Sequence, residues 1–180
     1  MRFVDTPIEG VYVVELERIE DERGFFARAW CRDELTAAGL TADLAQCSLS
    51  RNRVAGTLRG MHYQRSPHEE AKLVRCTRGA IFDVALDLRQ RSATHGRWFA
   101  AELDAASGRA LYIPEGCGHG FQTLVDDTDV FYAITAPYAP EAAAGVRWDD
   151  HAFGIAWPVT SSRTISDRDL AWPDYRPGVS

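Results

Sequence analysis

Two short segments of the 180-residue chain concentrate groups that can move protons or hold an anion. The first runs Thr57-Leu58-Arg59-Gly60-Met61-His62-Tyr63-Gln64 and resumes at Lys72-Leu73-Val74-Arg75. It brings a guanidinium, an imidazole, a phenol and an ammonium into one stretch. The second is Ile113-Pro114-Glu115-Gly116-Cys117-Gly118-His119-Gly120-Phe121, where a Pro-x-Gly-x-x-His turn delivers His119 into a strand. An imidazole titrates near neutrality, so it can take or give a proton at ordinary pH. His and Lys inside a strand are costly unless paired or hydrated, so both segments imply a polar cavity. Taken singly, each residue also has a plain structural reading. A histidine can be a hydrogen-bonded scaffold residue, Lys72 a surface charge, and Tyr63 and Tyr132 core aromatics with satisfied hydroxyls. Together they point to an enzyme or a small-ligand binder.

The elements that must carry these groups read as short strands. Val11–Glu17, Gly24–Cys31, Leu44–Ser50, Thr57–Gln64 and Lys72–Thr77 have strand patterning. So do Ala80–Leu88, Trp98–Leu103, Ala110–Ile113, His119–Val125 and Val130–Thr135. Turn signals separate them, among them Arg78-Gly79, His95-Gly96, Ser107-Gly108 and Asp126-Asp127. One helix is expected at Asp33–Gly39, with Asp33 as cap and Gly39 as terminator. About ten strands at regular spacing predict an all-β fold, an antiparallel sandwich or jelly-roll barrel. Within Ala80–Leu88, Ile81, Asp83, Ala85 and Asp87 share one face, because side chains alternate with period two. That face either lines a cavity or is simply wet.

Composition narrows the function classes. The net charge of −6 argues against a nucleic-acid partner, which would call for a basic surplus. It leaves room for a small anion held by local arginines. Hydrophobic residues at 46% suffice for a core, so neither a metal nor a disulfide staple is required. No apolar run approaches the roughly 18 residues of a membrane span, and the first 18 residues lack signal-peptide regions. One cytoplasmic domain over residues 1–180 is expected, with an irregular tail from about 158. The four cysteines form no CxxC pair and are expected to be reduced and mostly buried. Nineteen of the 20 Lys and Arg residues are arginine; Lys72 is the exception.

The spacing Pro114-x-Gly116-x-x-His119 resembles the second motif of the cupin superfamily. The first cupin motif would supply His-x-His and a Glu to a metal. Here those places hold His62-Tyr63-Gln64 and Lys72. An ammonium in place of an anionic ligand opposes a divalent cation, so no metal is expected.

A more specific resemblance follows from several motifs. They are Asp21-Glu22-Arg23-Gly24-Phe25-Phe26, Gly56 to Gln64, Lys72 to Arg75, Asp83 to Arg89, and Ile113 to Gly116 with His119-Gly120-Phe121. Tyr132, Tyr138, Trp148-Asp149-Asp150, Ile155 to Pro158 and Ile165 to Asp169 complete the set. From about residue 2 to residue 173 the chain resembles the dTDP-4-dehydrorhamnose 3,5-epimerase family. The resemblance implies a cupin-type jelly roll, a homodimer with a shared active site, and no cofactor. It also implies inversion of C3 and C5 of a nucleotide-linked 4-keto-6-deoxyhexose. On that match His62 is the base, Asp169 its orienting carboxylate, Tyr132 the acid and Lys72 the cation near the enolate oxygen. Arg23 and Arg59 match phosphate contacts, Tyr138, Phe26 and Gln46 base contacts, His119 the sugar pocket, and Arg168 a basic ligand contact.

Three departures fall on the nucleotide side. Ala27-Arg28 stands where the family commonly has a Glu, Gln46-Cys47-Ser48 where it often has Gln-Asp-Asn, and Ala142–Ala144 where another Glu is expected. They leave open the base, thymidine or cytidine, and inversion at C3 alone. A 3,4-ketoisomerase or a non-catalytic sugar-binding cupin is the alternative.

Overall fold

Alternating side chains give each central strand two different faces, and the fold stacks those faces in layers. A computed structural model describes residues 1–159 and 161–176. One antiparallel sheet contains β1 (Arg2–Asp5), β2 (Tyr12–Glu15), β5 (Gln46–Asn52), β7 (Lys72–Arg78), β10 (Ala110–Ile113) and β12 (Thr128–Ile134). Its order is β1-β2-β10-β7-β12-β5. The second contains β6 (Leu58–Gln64), β8 (Ala80–Asp87), β9 (Trp98–Asp104), β11 (Cys117–Thr123) and β13 (Ala143–Gly145), in the order β13-β6-β11-β8-β9. A separate hairpin pairs β3 (Arg18–Asp21) with β4 (Gly24–Ala27). Among the described residues helices are confined to α1 (Arg32–Ala37) and α2 (Asp167–Leu170). None is long and apolar enough to cross a membrane.

The central core lies between the sheets. Val74, Cys76, Leu111 and Val130 from the first meet Ile81, Ala85, Leu103 and Phe121 from the second. Leu73, Tyr112 and Ala133 point the other way and are covered by Leu35 of α1. On the outer face of the second sheet, Leu58, Met61, Val84 and Leu86 pack under Val146, Phe153 and Trp157. Each large buried side chain contributes about 1.5–3 kcal/mol by leaving water, so both sheets are fixed in register. The same alternation places Lys72, Asp83, His119 and Tyr132 on the inward faces of their strands, beside that core.

β6 and β11 approach closely where Gly60 faces Gly120. A Cβ on Gly60, which sits at φ +134°, would lie 2.6 Å from the Gly120 Cα. Glycine at both places allows the two strands to carry their histidines opposite each other, His119 in register with His62.

The structure moves several expected boundaries. The helix begins at Arg32, with Cys31 at its N-cap and no side-chain cap; Asp33 lies in its first turn. Gly39 follows it at φ +74°, as expected of a terminator. The strand expected over Leu44–Ser50 is Gln46–Asn52, because pairing with β12 sets its ends. The one expected over Gly24–Cys31 stops at Ala27. β1, β3 and β13 were not legible as strands. Their residues are mostly exposed or, in β13, too few to show a pattern. The segment beyond residue 158 contains α2, and the expected domain also includes residues 160 and 177–180, outside those described. Of the four thiols only Cys76 and Cys117 are buried; Cys47 is exposed and Cys31 intermediate.

Candidate active site

The inward faces end in a pocket of about 320 Å³ between the sheets. β6 supplies Arg59 and His62, β7 Lys72, β11 His119 and β12 Tyr132. Gln46, Ser48 and Ser50 come from alternate positions of β5, and Tyr138 from the loop after β12. A second chamber of about 250 Å³ shares Arg59, His62 and Tyr138 and adds Arg168 and Asp169. A larger groove of about 600 Å³ lies around Tyr63, Arg65 and Tyr175 and contains none of His62, Lys72, His119 or Tyr132.

α2 brings Asp169 to β6. The parallel bridge of Thr57 to Thr164 leads the chain there, and the Ser166 side chain caps the helix by accepting from the Asp169 amide. The His62 ring donates from Nε2 to Asp169 Oδ1 at 2.6 Å, and the Gly60 amide donates to Oδ2 at 3.3 Å. Burial alone would raise the Asp169 carboxyl. The hydrogen bond and charge of His62, with the Gly60 amide, hold it below the usual carboxylate range instead. Asp169 is sealed in, but the His62 side chain is 40% exposed. With Nε2–H given to Asp169, Nδ1 carries the free lone pair of the neutral ring.

Across the β6–β11 ladder, His119 repeats the arrangement more deeply. Its Nε2 donates to Asp83 Oδ1 at 2.8 Å, and its side chain is only 5% exposed. Asp83 is fully buried, and its other oxygen has no partner among the described residues. The inward face of β8 is therefore neither wet nor a cavity wall: Ile81, Asp83, Ala85 and Asp87 are all buried, and none of them lines either chamber. Tyr132 meets the His119 ring edge to face, with centroids 5.8 Å apart. Burial, reinforced by the Asp83 charge, pushes the Tyr132 phenol well above its ordinary value against weaker opposing effects of Arg59 and Ser50. A phenol in that state holds its proton until a strong base appears.

Lys72 Nζ lies 2.8 Å from Glu70 Oε1 and 3.5 Å from the His62 carbonyl oxygen. Arg59 is steadied by Asn52, whose Oδ1 accepts from its Nε at 2.9 Å. Gln46 Oε1 accepts from the Tyr138 amide at 3.2 Å, and the Gln46 NH₂ has no partner among the described residues. Among the described residues no three His, Cys, Asp or Glu side chains converge in a way that would hold a metal ion.

Of the residues singled out from sequence, His62, Lys72, Tyr132, Asp169, Gln46, Arg59, His119, Tyr138 and Arg168 gather around the two chambers. Arg23 and Phe26 do not. Both sit on the β3–β4 hairpin, Arg23 paired with Asp21 and Phe26 73% exposed. The sequence reading overlooked Glu70 and left Asp83 undecided. Glu70 stands two residues before Lys72, in the loop that leads into β7.

The chain is similar to known proteins along nearly its whole length. The family model for dTDP-4-dehydrorhamnose 3,5-epimerase matches residues 5–176. A dTDP-4-dehydrorhamnose 3,5-epimerase of Sinorhizobium fredii is 41% identical over 96% of this chain and 89% of its own. A dTDP-4-dehydrorhamnose 3-epimerase of Streptomyces niveus is 40% identical over 94% of this chain and 81% of its own. Among solved structures, a dTDP-6-deoxy-D-glucose-3,5-epimerase from Legionella pneumophila in complex with dTDP-4-keto-L-rhamnose superposes with a TM-score of 0.89. It is 32% identical and aligns over 97% of this chain and 98% of that one. The chain belongs to the dTDP-4-dehydrorhamnose 3,5-epimerase family.

Proposed function

We propose that the chain is an epimerase, an isomerase that inverts C3 and C5 of a dTDP-linked 4-keto-6-deoxyhexose in deoxysugar biosynthesis. The observation that carries this is the half-open imidazole of His62, fixed by buried Asp169 and sharing a pocket with a protonated phenol and an ammonium.

Carbons 3 and 5 flank the C4 carbonyl, so their protons are acidic. His62 Nδ1 takes one of them. The imidazolium that results is stabilised by the Asp169 carboxylate, which also fixes the ring's tautomer. Negative charge moves to the C4 oxygen, where the Lys72 ammonium lowers the barrier by about 3 kcal/mol or more. Tyr132 returns a proton to the opposite face, and the centre is inverted. Arg59 takes the diphosphate, and Tyr138 stacks on the base with Gln46 hydrogen-bonding it. His119 lines the sugar subsite and Arg168 contributes a further basic contact. No step calls for a metal or an organic cofactor.

A second copy of the chain completes the site. The β3–β4 hairpin stands apart from both sheets, with Ile19, Phe25 and Phe26 exposed; Leu49 of β5 and Phe131 of β12 are exposed as well. Such a patch fits a protein partner. Docking it would deliver Arg23 to the diphosphate and Phe26 to the base of the neighbouring pocket. The enzyme acts in the cytoplasm as a homodimer.

Inversion at C3 alone is the second reading, supported by the 40% identity to a relative named a 3-epimerase. Incubation in deuterium oxide with the thymidine and cytidine forms of the 4-keto-6-deoxyglucose nucleotide separates these readings. Label at both carbons of the thymidine substrate is expected. Label at C3 alone makes the protein a 3-epimerase. Label at neither, with either base, removes the epimerase reading.

A further inference from the structure

Glu70 is an acid inside a pocket built for an anion, which calls for an explanation. It borders both chambers, beside His62 and Arg59 in each. Its carboxylate lies 2.8 Å from the Lys72 ammonium, and the two side chains are only 10% and 9% exposed. The backbone beside it is rigid. The amide of buried Ala71 donates to Thr135 Oγ1 at 2.8 Å, and its carbonyl accepts from the Thr135 amide at 3.1 Å.

A lysine ammonium has three donors on a stem with four rotatable bonds, so by itself it aims nowhere in particular. Here one N–H faces Glu70 and a second faces the His62 carbonyl oxygen. Tetrahedral geometry then fixes the direction of the third. We propose that Glu70 is a positioning residue that orients the Lys72 ammonium so that its remaining N–H points at the oxygen on which charge develops. The inference rests on the epimerase reading and adds to it a requirement on reach. An acceptor must stand at that distance; whether it is charged matters less.

Reach and charge separate cleanly by substitution. Glu70→Gln retains an acceptor oxygen at the same extension and loses the charge. Glu70→Asp retains the charge and withdraws the oxygen by about 1.5 Å, one C–C bond length. Glu70→Ala removes both. The experiment measures kcat and KM of the four full-length proteins on dTDP-4-keto-6-deoxyglucose, with melting temperatures as the folding control. Glu70→Gln is expected within about threefold of the parent kcat. Glu70→Asp, and Glu70→Ala where it folds, should lose about 10- to 100-fold, the scale of a misplaced catalytic group. KM should stay within about threefold throughout.

Three results overturn the inference while the parent remains active: kcat of Glu70→Asp at the parental level, Glu70→Gln less active than Glu70→Asp, or a raised KM with unchanged kcat. An inactive parent overturns the functional reading itself, and this inference with it.

Discussion

His62 and His119 face each other in register on β6 and β11, and each donates its Nε2–H to a carboxylate buried behind it. The two pairs are chemically alike but differ in access. The His62 ring opens to the pocket, whereas His119 is sealed between Asp83, Phe121 and Tyr132. Under the proposed mechanism, that difference in access separates their roles. A general base must reach the proton it removes, and only His62 is open enough to do so. His119 packs edge to face against Tyr132, the proposed acid.

Separating proton removal from proton return gives the first prediction. Tyr132→Phe keeps the base and its carboxylate but loses the acid on the other face. Deuterium exchange at C3 should persist, while net inversion falls about 100-fold or more. Proton NMR of the recovered sugar nucleotide reads both quantities. Equal loss of exchange and inversion would place Tyr132 on the proton-removal side.

Lys72 is the single lysine among 20 basic Lys and Arg side chains, and its address is the pocket wall. Arginine carries a larger planar fork that cannot meet Glu70 and the His62 carbonyl while aiming a further N–H at the substrate oxygen. Lys72→Arg should fold with an unchanged melting temperature and lose at least about 10-fold in kcat. Turnover near the parental rate would reduce the lone lysine to a bias of composition.

Asp87 is expected to contribute to acid stability away from the chemistry. Burial alone would raise its carboxyl, but Arg89, Ser92 and Thr94 donate to it and bring it down to about 2 from 3.8. A carboxyl depressed in the folded state stabilises the protein above the unfolded value and loses that contribution as pH falls through the folded one. About 2 kcal/mol should therefore be present at pH 7 and vanish between about pH 4 and pH 2. Asp87→Asn should lower the urea midpoint at pH 7 and flatten its decline across that window. A parental midpoint at neutral pH would contradict this.

Much of this architecture was legible in the sequence where strands alternate. Ala110–Ile113 has the expected limits, and the core strands around it shift by only a few residues. β3 was not legible because every residue in it is exposed, so no buried face leaves a pattern. The His62–Asp169 pair spans 107 positions, and no local spacing encodes a contact of that range. It came from family resemblance alone. Asp83 showed its alternation, but not that both faces of β8 are covered, one by the central core and the other by Val146, Phe153 and Trp157. Glu70 lies in the loop before β7, where no strand alternation marks it as facing the pocket.

Thiol chemistry tests the layer assignment independently. Burial pushes Cys76 up to about 11 and Cys117 up to about 12, so neither forms thiolate at pH 8. Both should resist an aromatic disulfide reagent in the native protein and react once denaturant is added. Four fast thiols in the native state would contradict the central core described here.

The central claim is that His62 removes the proton. Its most direct test is the rate of deuterium uptake at C3 of dTDP-4-keto-6-deoxyglucose, followed by proton NMR for the parent and His62→Ala. The parent should take up label steadily, and the variant about 100-fold more slowly or worse, with its melting temperature retained. Equal rates in the two proteins would contradict the account.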